Sequence, residues 1–185
     1  MMKKIAIAVL LSAFVAAPVF AAGEGPYVGV KVGQSDVWGS SSGWGVYGGY
    51  NIPKSATSNW FPGSKFMEKV SWSGEVEYTK LGSNTVDFGF GVSDSYDVTD
   101  IGAALTGTYP INPQFSAIAK AGLAQTSVDH NCAYLGCGAY STSTFGLRAG
   151  IAGQYNLNQT VGLRAGVDVY PDGYHQVSAG AVFTF

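Results

Sequence analysis

The sequence predicts an all-β fold: eight antiparallel strands, meandering up and down and closing into a barrel that spans a membrane. Three observations carry this. Segments of about the 9–11 residues that a tilted membrane strand needs alternate apolar with small or polar side chains. Aromatic residues on the apolar face gather at strand ends, while its middles are Val, Ala, Leu and Ile. Charge within the strand bodies is confined to the opposite face except for Lys80 and Asp97 at strand ends, with Lys31, Lys120, Arg148 and Arg164 against Glu75, Glu77, Asp100 and Asp168. The composition agrees, with 26 Gly among 185 residues and, after the N-terminus, no apolar run near the ~20 residues of a membrane helix.

Met1-Met-Lys-Lys4 is a short basic region, followed by the uncharged run Ile5 to Phe20 and small residues at Ala21 and Ala22. That pattern is a cleaved secretory signal peptide over residues 1–21, leaving residues 22–185 as one domain. Losing Lys3 and Lys4 takes the formal charge from −2 to −4. No basic stripe is present, which argues against nucleic acid as a partner.

Alternation places strands at Pro26–Gly33, Trp44–Ile52, Ser71–Leu81, Asp97–Tyr109, Phe115–Gln125, Thr142–Tyr155, Thr160–Tyr170 and His175–Phe185. Pro110-Ile-Asn-Pro-Gln114 and Asn156-Leu-Asn-Gln159 read as tight turns. Asn84, Gly91 and nearby Ser and Asp mark longer loops. Parity then separates two faces. One carries Val30, Val46, Val76, Ile101, Leu105, Leu123, Leu147, Ile151, Val167 and Val177; the other carries the eight charges together with Gly29, Gly45, Tyr47, Gly49, Gly102, Gly122, Gly150, Gly166 and Gly180.

A soluble barrel would turn the apolar face inward and a membrane barrel would turn it out. With the first strand running outward from the periplasm, Tyr50, Trp72, Tyr109, Phe115, Tyr155, Phe183 and Phe185 form one girdle. Trp44, Tyr78 and Phe145 form a second. Rings at two interfaces around an aliphatic band suit lipid; a soluble core would centre its rings. The balanced charges suit a narrow interior in which opposite signs must pair.

Tyr27-Val-Gly-Val-Lys-Val-Gly33, Tyr47-Gly-Gly-Tyr-Asn-Ile52, Gly74-Glu-Val-Glu-Tyr78, Gly107-Thr-Tyr-Pro-Ile-Asn-Pro113 and Ala119-Lys-Ala-Gly-Leu123 follow in this order, and the chain closes on Phe185. The set resembles the OmpA-like, opacity-type outer-membrane β-barrel family over the whole mature chain. The resemblance implies a barrel inserted by the outer-membrane assembly machinery, which reads Phe183 and Phe185 in the last strand. It also implies lipid and lipopolysaccharide surroundings and a role in envelope integrity, adhesion or host interaction. Residues 53–70 depart from it, being long for a periplasmic turn; Trp60, Phe61, Lys65 and Lys69 would dock this stretch on the membrane interface, or it is an ordinary extended turn.

Little catalytic chemistry is visible. Cys132 and Cys137 lie in one loop, and an exported, oxidising setting favours a small local disulfide. His130 nearby leaves a metal site short of a fourth ligand. His175 and Ser178 are three apart, which puts them on opposite strand faces, so a lipid-modifying serine enzyme is the least favoured reading. No cofactor is expected. Lys80, at the outer end of the third strand on the apolar face, is a snorkelling cation satisfied by solvent or by lipopolysaccharide phosphates. The function expected is therefore structural or interactive, through acidic loops facing a host or envelope protein, around an interior plugged by its charges. A narrow channel or carrier of small hydrophobic molecules is the alternative.

Overall fold

The computed structural model describes residues 25–89, 92–132 and 138–185. Residues 1–21 and Cys137 lie outside these, and with them the signal peptide and the Cys132–Cys137 pairing. Eight antiparallel strands form one closed barrel in sequence order: β1 (Gly25–Ser35), β2 (Ser41–Asn51), β3 (Ser71–Gly89), β4 (Val92–Pro110), β5 (Phe115–Cys132), β6 (Tyr140–Asn156), β7 (Val161–Val169) and β8 (His175–Thr184). The last strand pairs with the first from Tyr27↔Thr184 to Ser35↔Gln176, and Phe185 N–H donates to Pro26 O at 3.1 Å. Closure leaves no unpaired edge in the wall, the condition lipid imposes on strands.

The wall is turned inside out relative to a soluble domain. Leu147 is 80% exposed and Ile151 69%, whereas Lys31, Glu75, Glu77, Asp100, Arg148 and Asp168 are buried. Rings frame this apolar band: Trp44 packs on Tyr78 at 5.9 Å, and Phe115 on Tyr155 at 4.7 Å. We call the end where β1 begins and β8 ends the terminal rim, and the opposite end the distal rim.

Strand lengths are unequal, and here the structure corrects the sequence reading. β3 and β4 have 19 residues each, β5 18 and β6 17, against 11 in β1 and β2, 9 in β7 and 10 in β8. The stretch around Asn84, expected as loop, is paired strand: β3 and β4 stay paired out to Gly89↔Val92, through register shifts between Lys80 and Gly82 and between Asp87 and Gly89. Alternation fails as a guide there because a sheet that extends beyond the closed wall has no crowded interior on one side to enforce it. β2 accompanies β3 only as far as Lys80, and β7 meets β6 only from Ala149. A four-stranded sheet, β3 to β6, therefore rises above the distal rim, and among the described residues its two outer strands have no strand partner on one side. At ~3.3 Å per residue, β3 extends about 25–30 Å beyond Lys80.

A register shift between Lys80 and Gly82 breaks the parity of β3. The bulge turns Leu81 inward, where it joins Val37, Val98 and Tyr170 in a buried apolar cluster at the distal end of the lumen. At the terminal rim two connections are tight, each closed by an Asn side chain: Asn112 Oδ1 accepts Phe115 N–H at 2.8 Å, and Asn158 Oδ1 accepts Val161 N–H at 2.7 Å. The third is the folded segment 53–70, with a one-turn helix α1 (Lys54–Thr57) and a 3-10 turn over Met67–Lys69. It is an insertion. Register is intact on both sides, with Asn51↔Ser73 paired and Ile52 N–H on Trp72 O at 2.8 Å.

Val167 faces outward on β7, opposite Ile151. Val167→Arg should weaken insertion by roughly 2–4 kcal/mol if it lies near the bilayer midplane. The measurement is the heat-dependent mobility shift of refolded protein across a urea series; an unchanged midpoint would contradict the outward assignment.

Candidate functional site

Two regions carry the chemistry: the charged lumen and the distal end. In the lumen, six strands contribute the eight charges, and cross-strand register explains how they meet. Lys120 on β5 lies opposite Gly150 on β6, and Gly150 lies opposite Asp168 on β7. With no side chain between them, Lys120 Nζ reaches Asp168 Oδ1 at 2.8 Å. A Cβ on Gly150 would strike the Asp168 carboxylate and stand 2.9 Å from Lys120 Cε. The same logic seats two tyrosines. Tyr27 faces Gly49 and Tyr47 faces Gly29 across β1 and β2, and each ring lies over the glycine opposite, filling the space a Cβ would need.

The network is continuous. Lys31 Nζ lies 2.6 Å from Glu77 Oε1 and 2.8 Å from Asp168 Oδ2, and it donates to Tyr170 Oη at 3.0 Å. Lys120 also pairs with Glu77 Oε2 at 3.0 Å. Arg148 pairs with Glu77 and with Asp100 Oδ1 at 3.2 Å, and its guanidinium lies 4.7 Å from the centre of the Tyr170 ring. Nearer the terminal rim, Arg164 pairs with Glu75 Oε2 at 2.9 Å. It also donates from Nη2 to Gln154 Oε1 at 3.1 Å. Carboxylate lone pairs left over by the cations are taken by hydroxyls: Thr79 on Glu77 at 2.6 Å, Thr126 on Asp100 at 3.0 Å and Tyr27 on Glu75 at 2.9 Å. Taking so many ions out of water is tolerable only because every charge has an opposite partner and the carboxylates accept further hydrogen bonds.

Several participants were not singled out in the sequence. Tyr27, Thr79 and Gln176 share the parity of neighbouring charged residues, so the alternation that found Lys31, Glu77 and Asp168 could have found them. Leu81 could not be found that way, because the bulge reverses its face. The remaining cavity within the charged layer is about 30 Å³, room for about two waters.

The terminal-rim mouth is a wider vestibule of about 470 Å³, lined by amides and hydroxyls such as Asn51, Gln114, Gln154 and Thr160, with Arg164 also in its lining. At the distal end, Lys80 Nζ lies 2.6 Å from Asp97 Oδ1 on the outer face, with both side chains partly exposed. His130 is buried between the Tyr96 and Tyr140 rings, at 4.4 and 4.5 Å, and contacts Asp94. His175 is tied to Asp36: its backbone N–H donates to Oδ1 at 2.7 Å and its Nδ1 lies 3.0 Å from Oδ2. Slight burial pushes the Asp36 carboxyl up, but the His175 hydrogen bonds outweigh it and hold the carboxyl below its ordinary range. Ser178 pairs with Gly33 and Gly166 in the wall, three residues on from His175, and no acid–base–nucleophile set forms around either His among the described residues. Phe183 is partly exposed on the outer face of β8, consistent with a terminal-rim girdle.

The outer membrane protein beta-barrel domain model matches residues 7–185. Among solved structures, Ail, the attachment invasion locus protein of Yersinia pestis, is 16% identical with a TM-score of 0.56, over 88% of this chain and 99% of that chain. A second Ail structure is a complex with the heparin analogue sucrose octasulfate. Neisserial surface protein A is 15% identical with a TM-score of 0.55, over 90% and 100%. The N-terminal β-barrel domain of Pseudomonas aeruginosa OprF is 12% identical with a TM-score of 0.54, over 86% and 97%. At these identities the likeness shows the fold alone. No curated protein matches in sequence.

Arg148→Met removes the shared partner of Glu77 and Asp100 and should cost about 3–5 kcal/mol, read as a fall in the unfolding midpoint. Lys80→Ala, at a partly exposed pair, should change it by only about 0–1 kcal/mol. The Asp36–His175 tie has the sign of a lowered carboxyl: present above the ordinary aspartate range near ~3.9 and lost as the pH falls through it. The protection of the His175 amide, its exchange rate taken relative to that of an unstructured chain at the same pH, should therefore fall as the pH drops through the ordinary aspartate range.

Proposed function

The chain belongs to the outer membrane protein β-barrel family, and from that premise we propose that it is a non-enzymatic surface protein. In this reading the terminal rim faces the periplasm and the raised β3–β6 sheet stands outside the cell as a platform for a host or envelope partner. The observation that carries it is the sheet itself. A barrel that only filled the wall would have no use for strands of 17 to 19 residues on one side. Raised strands with unpaired flanks offer main-chain hydrogen bonds to an incoming segment.

Charge selects the kind of partner. The distal segments carry Asp36, Asp87, Asp94, Asp97, Asp129 and Asp172 against Lys80 alone among Lys and Arg. A sulfated polyanion like the one in the Ail complex is poorly matched to that surface, and a basic or neutral partner is better matched. The neutralised lumen and its small cavity support a plugged interior over a channel, since eight strands enclose a lumen that side chains fill. Lys80, already paired with Asp97, would meet lipopolysaccharide phosphates only in competition with that carboxylate. The local disulfide at Cys132 and Cys137 would stiffen the β5–β6 tip, and Phe183 and Phe185 would serve recognition by the assembly machinery.

The test is to shorten the raised sheet by deleting residues 83–96, leaving the wall intact as shown by the heat-dependent mobility shift. Binding of bacteria to host cells should fall, and binding by the unmodified protein should weaken with added salt. Undiminished binding by the shortened protein would overturn the reading. Conductance steps in planar bilayers would favour the channel instead.

A further inference from the structure

The insertion at residues 53–70 is built like a foot pressed against the lipid-facing wall. Phe61 stacks on Trp72 with centroids 5.6 Å apart, and Trp60 approaches the same ring at 5.9 Å. Phe66 stacks on Tyr109 of β4 at 4.8 Å. These contacts do not bury the foot: Trp60, Phe61 and Phe66 remain 44%, 41% and 58% exposed. Three large rings exposed on one short segment would be a liability in water, but they match the headgroup boundary, where aromatic side chains sit half in hydrocarbon.

Beside the foot runs a groove of about 670 Å³ on the outer wall, lined by Phe66, Met67, Trp72 and Tyr109 and by small residues of β6 and β7 such as Gly153 and Ala165. Its volume falls within the ~300–1,000 Å³ of small-molecule sites. Its apolar floor is open at Gly153, where an added Cβ would meet nothing within 4 Å. The cations lie next to it in the chain. Lys65 directly precedes Phe66, and Lys69 lies between Met67 and Val70, both groove-lining residues. Lys54, Lys65 and Lys69 are exposed, Glu68 is the one acid among residues 53–70, and these three lysines have no ion pair among the described residues.

We propose that this groove is a binding site for one anionic phospholipid of the leaflet that contacts the terminal rim. An acyl chain occupies the trough between the foot and the β6–β7 wall, and the headgroup phosphate lies against Lys65 and Lys69. The apolar trough alone would accept any hydrocarbon. The adjacent lysines, with a single carboxylate among them, select a lipid with net negative charge. The assignment rests on the membrane reading given above, and on its orientation only for which leaflet supplies the lipid.

The test is native mass spectrometry of the full-length processed protein, extracted from membranes and offered phosphatidylglycerol or phosphatidylcholine of equal chain length. One phosphatidylglycerol should be retained in preference to phosphatidylcholine by about tenfold or more, since each surface lysine contributes favourably toward anionic lipid. The double variant Lys65→Glu/Lys69→Glu should lose that preference. Gly153→Trp, which fills the trough, should release both lipids, while the mobility shift on heating stays intact and reports a closed barrel. Equal retention of the two lipids by the unmodified protein would overturn the proposal. So would a protein dimer that Gly153→Trp dissociates, which would make the occupant a second copy of the chain. A protein that shows no heat-dependent shift and stays soluble without detergent would instead overturn the membrane reading, which keeps the two failures distinct.

Discussion

A lumen enclosed by eight strands is only wide enough for side chains, so every charge placed in it must find its opposite within reach. That constraint organises the wall of this protein. Glu77 contacts Lys31, Lys120 and Arg148, and Asp168 pairs with two of the same cations at 2.8 Å. Reaching across a strand requires the intervening position to be empty, which is why Gly150 stands between Lys120 and Asp168. The abundance of glycine and the balance of charge are therefore one feature seen twice. The electrostatics need space, and the space comes from residues without side chains.

The closed charged layer also divides the molecule. Beyond it, toward the distal rim, Leu81, Val37, Val98 and Tyr170 form an apolar layer, so ion pairs give way to hydrocarbon along the lumen. Beyond that again only half of the barrel continues. β3 to β6 rise as a sheet while β7, β8, β1 and β2 end near the rim. A wall that supports itself by closure leaves such an extension free to vary, because its loss opens no edge within lipid. Interaction chemistry can accumulate there without disturbing the span.

The terminal rim solves a different problem. Two of its connections are compact turns whose backbone N–H groups are taken up by Asn112 and Asn158. The third carries exposed rings, lysines and a groove against the outside of the wall. The tight turns end at the rim, whereas the foot folds back and packs its aromatic rings on Trp72 and Tyr109 of the outer wall. Lumen, raised sheet and foot are thus separate regions, each supported by the same closed wall.

By itself the sequence determined the strand count, the order of the strands, the inward set of eight charges and the outward apolar band. All of these follow from a period-2 pattern that lipid on one side and a crowded lumen on the other enforce at every residue. The parity of Lys31, Glu77 or Arg148 could be read without knowing its neighbours. What only the tertiary structure decided are features where that enforcement lapses or where partners lie far apart in the chain. β3 and β4 run on past Lys80 because pairing, and not burial, holds a strand in water, so no alternation marks its end. Leu81 turns inward because a bulge costs one residue of register, which composition does not announce. Lys31 meets Asp168 because β8 pairs with both β1 and β7 when the barrel closes, and Lys80 meets Asp97 through the register of β3 on β4; no local pattern encodes either. The foot at residues 53–70 was visible as an excess of chain, but its grip on Trp72 and Tyr109 depends on where the closed wall presents those rings.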